Sequence, residues 1–105
     1  MKKVFLLGCI VCLSLWTWGQ GIDFQKGSFQ EALQQAKTGN KLVFVDAFAT
    51  WCGPCKMMAE KILPLKEVGE YMNGKFVCVK FDMEKGEGKE LSKQFKIRAY
   101  PTFLL

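Results

Sequence analysis

Apolar residues change their period several times along the chain, and each change marks an element. Met1-Lys2-Lys3 is basic and Val4 to Trp16 is almost unbroken apolar sequence. Thr17 and Gly19 then place small residues ahead of a cut after Gly19, the pattern of a cleaved export signal over 1–19. The run is shorter than the roughly 20 residues that span a bilayer, so an uncleaved membrane anchor is the alternative. Leu6-Leu7-Gly8-Cys9 has the form of a lipidation box but too little apolar sequence precedes it. Cys9 and Cys12 read as small apolar residues of the leader.

Residues 20–27 are polar and read as a linker. Ser28-Phe29-Gln30-Glu31 has the capping-box pattern, and Ala32, Leu33 and Ala36 follow at helical spacing before Gly39-Asn40, which predicts a helix over 29–38. Leu42 to Phe48 is a β-branched and aromatic run interrupted only by Asp46, as expected of a central strand buried on both faces. Cys55 to Leu63 has helical composition with Pro54 placed in a first turn, and Pro64 ends or kinks that helix. A further helical piece spans 66–72 and Asn73-Gly74 breaks it. Lys75 to Asp82 alternates as a strand, Gly86 and Gly88 flank a turn, Glu90 to Lys96 predicts a short helix, and Pro101 to Leu105 begins a strand.

The order predicts one α/β domain over 28–105 with a mostly parallel sheet flanked by helices. The chain stops inside an apolar strand whose edge needs cover, so a fragment of a longer protein is expected.

Composition narrows the chemistry. With 105 residues, half of them apolar, there is room for one domain. The net charge is +5, but Lys2 and Lys3 supply two of those charges. The remaining basic residues are interspersed with Asp and Glu as on a solvated surface, so no nucleic-acid partner is expected. There is no His, which excludes Ser/His/Asp and Cys/His catalysis and the imidazole ligands of most catalytic zinc sites.

Cysteine must therefore carry any catalysis. Export would place Cys52, Cys55 and Cys78 where disulfides persist, and a close pair plus one extra thiol points to a reactive pair rather than a structural framework. Cys52 precedes the predicted helix, whose unpaired N–H groups and dipole favour a thiolate. A thiolate at Cys52 attacks a substrate disulfide, and Cys55, one turn on, resolves the mixed disulfide. Pro54 fixes φ between them, after Gly53. Half of a zinc site also uses this spacing, but zinc needs two further ligands and Cys78 is the one other thiol in the mature chain, so no metal is expected. As a purely structural bridge, so short a loop would constrain the unfolded chain little. Cys78 reads as a buried apolar thiol. Asp46 stands out because an unpaired carboxylate is costly to bury; the bland alternative is an Asp bonded to loop amides.

Val45-Asp46-Ala47-Phe48-Ala49-Thr50-Trp51-Cys52-Gly53-Pro54-Cys55-Lys56 resembles the active-site segment of thioredoxins, and Arg98-Ala99-Tyr100-Pro101-Thr102 resembles their cis-proline segment. Residues 28–105 as a whole are similar to exported bacterial thioredoxin-like proteins. The resemblance implies a thioredoxin-like fold, a central mixed sheet flanked by helices, with the family's last strand and C-terminal helix missing after Leu105. It implies a redox-active Cys52–Cys55 disulfide, with Asp46 exchanging a proton with the resolving Cys55 and Lys80 as its charge partner. By the same matching, Trp51 shields the pair and contributes to the substrate surface, Pro101 faces the disulfide in cis, and the Tyr100 backbone pairs with extended substrate. Gly53-Pro54 resembles the reducing members more than the oxidising ones.

The expected function is reduction or isomerisation of protein disulfides in the periplasm, by a monomer without a cofactor, resupplied by a membrane dithiol donor. Two other classes stay open: a non-catalytic binding module of the same fold, against which the intact cysteine pair argues, and a protein handling Cu(I) through Cys52 and Cys55.

Overall fold

A computed structural model of the chain describes residues 21–105. The expected export signal, with Cys9 and Cys12, lies outside the described residues. Helix α1 (Phe29–Gly39) leads into β1 (Leu42–Phe48), followed by the short α2 (Gly53–Met57), which continues as a π-helical turn over Met58–Ile62. Then come α3 (Lys66–Lys75), β2 (Phe76–Asp82), α4 (Glu87–Gln94) and β3 (Thr102–Leu104).

The capping box forms as read. The Ser28 hydroxyl accepts from the Glu31 N–H at 3.1 Å while the Ser28 N–H donates to the Glu31 carboxylate at 2.7 Å. Asn40 takes the left-handed conformation, φ 56°, that closes the helix. The small face of α1, Ala32 and Ala36, packs on Val45, Val77 and Val79. A second cluster of Ala47, Met83 and Leu91 joins α4 to the same side of the sheet.

Strand order is β2-β1-β3, so β1 is central as expected. Strands β1 and β2 pair in parallel from Leu42↔Phe76 to Phe48↔Asp82. In contrast to the mostly parallel expectation, β3 runs antiparallel to β1, with Ala47↔Thr102 and Val45↔Leu104 as partners. The connection after β2 stays near the strand end it left and re-enters opposite Ala47. A parallel return would have had to cross back to the far end of the sheet.

Three boundaries differ from the sequence expectation. Residues beyond Met57 close a wider turn, with the Leu63 N–H donating to the Met58 carbonyl at 2.9 Å, a variation that hydrophobic spacing does not distinguish from an α-turn. Helix α3 runs through Asn73-Gly74 to Lys75 because Asn73 is held by tertiary bonds: its side-chain oxygen accepts from the Asp23 N–H at 2.8 Å and its amide donates to the Gly21 carbonyl at 3.1 Å. Helix α4 begins at Glu87, ahead of the expected Glu90, with Gly88 buried so closely over the Asp82 carbonyl that a Cβ would overlap it. It ends before Lys96, whose φ of 54° breaks the helical path.

The segment read as a linker also makes specific contacts. Phe24 forms a parallel bridge with Cys78, the Gln25 N–H donates to the Cys78 carbonyl at 2.8 Å, and the Ile22 N–H donates to the Leu63 carbonyl at 3.0 Å. It therefore straps the outer edge of β2 to the end of the π-turn.

Candidate active site

Strand β1 delivers the chain into α2 through Ala49, Thr50 and Trp51, and the cysteine pair sits at that junction. Cys52 is the N-cap of α2, its Sγ accepting from the Cys55 N–H at 3.1 Å. Helices leave such first-turn N–H groups without backbone partners, so this donor is free to serve the sulfur. Pro54 occupies the first turn, as its fixed φ and missing N–H permit. Cys52 and Cys55 form a disulfide, with Cα atoms 5.3 Å apart. They are 3% and 8% exposed and cluster with Ala49, Phe48 and Tyr100.

Trp51 is 65% exposed, so core packing does not account for it. Its ring meets Tyr100 edge-on with centroids 5.7 Å apart, and its indole N–H donates to the Glu84 carboxylate at 2.9 Å. The Tyr100–Pro101 peptide bond is cis. Below it, the Thr102 hydroxyl donates to the Ala99 carbonyl at 2.6 Å.

Asp46 is 5% exposed, and its register partner on β2 is Lys80. Because side chains alternate along strands, Asp46 and Lys80 leave the same face of the sheet. A cavity of about 270 Å³ joins them to Cys55, bounded further by Lys56 and Ala59. No loop amide bonds the Asp46 side chain among the described residues, so the alternative of a loop-bonded Asp is not what the fold builds. Burial raises the Asp46 pKa above its ordinary value, and the positive charge of Lys80 opposes that rise. Lys80 itself is exposed, its ammonium 5.2 Å from the Phe24 ring centroid and 5.3 Å from that of Phe48.

Cys78 stands apart from this constellation. It is free, 1% exposed, and burial pushes its thiol up to about 11, with Lys41 lowering and Asp23 raising it further. A thiol held neutral in this way is a poor nucleophile.

The fold thus gathers Cys52, Cys55, Asp46, Trp51, Lys80 and Tyr100 at the ends of β1 and β2. The sequence reading missed Glu84, Phe24 and Phe48 at this site. Glu84 sits in a turn rich in Glu, Lys and Gly, where nothing local separates a Trp-binding carboxylate from its solvated neighbours.

Comparison with known proteins decides the lineage. The family model for Thioredoxin matches residues 21–105. The chain belongs to the thioredoxin family. It is 36% identical over 75 residues to a thioredoxin of Echinococcus granulosus, covering 71% of this chain and 64% of that relative. It is 41% identical over 78 residues to a horse thioredoxin, covering 74% of this chain and 67% of the relative. Among solved structures, a candidate disulphide-isomerase from Bacteroides thetaiotaomicron superposes with a TM-score of 0.71 at 50% identity, covering 81% of this chain and 70% of the other. The chain therefore spans a little under two thirds of the Echinococcus thioredoxin. Within that span it holds the family's cysteine pair and its Tyr100–Pro101 segment.

Proposed function

We propose that this thioredoxin-family protein is an exported thiol–disulfide oxidoreductase that reduces or isomerises disulfides in other proteins. The observation that carries the reading is the Cys52–Cys55 disulfide at the start of α2, with Cys55 lining a cavity shared with a buried carboxylate.

In the reduced form, the Cys52 thiolate attacks one sulfur of a substrate disulfide. A Cys52–substrate disulfide forms and the other substrate sulfur leaves as thiolate. Asp46 accepts the Cys55 proton across the cavity. The Cys55 thiolate then attacks Cys52 Sγ and the second substrate sulfur leaves as a thiolate. The two substrate thiolates take one proton from Asp46 and one from water to give the dithiol, and the chain is left with the Cys52–Cys55 disulfide. Restoring the dithiol takes two electrons and two protons from an outside donor, for which a membrane dithiol is the proposed source. A carboxylate whose pKa is raised by burial suits this task, because a base works best when its pKa lies near the working pH. Trp51, Gly53, Pro54, Tyr100 and Pro101 form the rim against which an extended substrate chain is read. A periplasmic monomer is the proposed form, the location resting on the basic start and apolar run of residues 1–19.

Turnover of a disulfide-bonded protein in the presence of a small dithiol tests the reading: the parent turns over and Cys52→Ser does not. Unchanged turnover by Cys52→Ser rules it out. Fractionation of cells making the chain, with N-terminal sequencing, tests export: a soluble extracytoplasmic product beginning at Gln20 supports it, and an intact Met1 on a membrane-bound product contradicts cleavage.

A further inference from the structure

Lys80 is an exposed lysine at a strand end, a place where a long side chain ordinarily sweeps through solvent. Here its ammonium lies over two aromatic rings, Phe48 from β1 and Phe24 from the strap on the outer edge of β2. Ring faces carry partial negative charge and attract a cation at this range. Two spaces meet at Lys80: the cavity holding Asp46 and Cys55, and a larger cleft of about 640 Å³ bounded by Asp23 and Phe24. Of the charged groups lining them, Lys56 and Lys80 border the cavity with Asp46, whereas Asp23 and Lys80 border the cleft.

We propose that Phe24 is a positioning residue for proton transfer: with Phe48 it holds the Lys80 ammonium at the mouth of the cavity shared by Asp46 and Cys55. This rests on the role proposed above for Asp46. A cation fixed there favours the ionised carboxylate and so extends the pH range in which Asp46 can take the Cys55 proton. Without the Phe24 ring, Lys80 is free to swing toward Asp23, and Asp46 stays protonated to higher pH.

The test follows the step in which Cys55 displaces substrate from Cys52, by rapid mixing across pH, for the parent, Phe24→Leu, Phe24→Tyr and Asp46→Asn, with a thermal melt of each. Phe24→Leu keeps the backbone bridge to Cys78 and an apolar side chain. Its acid limb should move up by roughly half a pH unit, while Phe24→Tyr, which retains a ring, keeps the parent's limb. A Phe24→Leu protein that melts earlier but keeps the parent's limb overturns the proposal, as does a Phe24→Tyr limb displaced as far as that of Phe24→Leu. If the limb survives in Asp46→Asn, the assignment of Asp46 fails and takes this inference with it; if Asp46→Asn abolishes the limb and Phe24→Leu leaves it in place, the inference alone fails.

Discussion

Asp46 and Lys80 are register partners on parallel strands and line the same cavity as Cys55. One carboxylate, one ammonium and one thiol thus share a small space inside a sheet that is otherwise apolar at its centre. Replacing Asp46 by Asn keeps the shape and removes the base. The resolving step should then slow by about 10²-fold, the lower end of what a positioned general base contributes, while the first attack by Cys52 is little changed. Stopped-flow measurement of the two steps separates them.

The same residue sets a pH dependence of stability. Its folded pKa is raised by burial, so the fold prefers the protonated acid. That contribution is fully present below the ordinary carboxylate pKa and is lost as pH rises through the raised value. Asp46→Asn should therefore be more stable than the parent at neutral pH, and the difference should close as pH falls into the ordinary carboxylate range. Urea melts at a series of pH values measure the gap; one that widens toward acid contradicts the assignment.

Glu84 holds the Trp51 indole from the turn after β2. Both groups are exposed, so Glu84→Ala should cost less than about 1 kcal/mol of stability. The expected effect is instead a KM for protein substrate raised several-fold with kcat nearly unchanged, because a loosened Trp51 presents a less ordered surface. Steady-state kinetics on a protein disulfide and on a small disulfide distinguish the two, and the small substrate should show no change.

Asn73 carries two bonds to the strap, to the Asp23 N–H and the Gly21 carbonyl. Asn73→Ala should destabilise by about 1–3 kcal/mol, two ordinary hydrogen bonds lost at a part-buried site. Hydrogen exchange at Ile22 and Gln25 should rise with it, since their N–H groups are bonded only while the strap is seated.

Gly88 lies inside α4 against the Asp82 carbonyl, where a Cβ would collide with backbone. Gly88→Ala should destabilise by about 1–3 kcal/mol in spite of the better helix propensity of Ala, because backbone on both sides must move. Equilibrium unfolding checks the sign, and a stabilised variant contradicts the packing.

Features written in neighbouring residues were readable in advance. The Ser28–Glu31 box, the Leu42–Phe48 strand and the placement of Cys52 before a helix depend on short-range rules, and they appear where the sequence puts them. Asp46 was conspicuous because burial in an apolar strand is costly. What could not be read depends on partners far along the chain. Asn73 breaks helices by local preference and here extends one, because Gly21 and Asp23, about fifty positions earlier, take up its side chain. The strap at 21–25 looks polar and loose until the edge of β2 is present to receive it. Glu84 owes its place to Trp51 and Phe24 owes its place to Lys80, each a partner far away in sequence.

The central claim, that Cys52 attacks and Cys55 resolves, is tested most directly by trapping. Cys55→Ser mixed with a disulfide-bonded protein should accumulate a covalent Cys52–substrate adduct, visible by mass spectrometry and cleared by added dithiol, while Cys52→Ser should form none. An adduct through Cys55 in the Cys52→Ser protein that forms as fast as the Cys52 adduct would contradict the account.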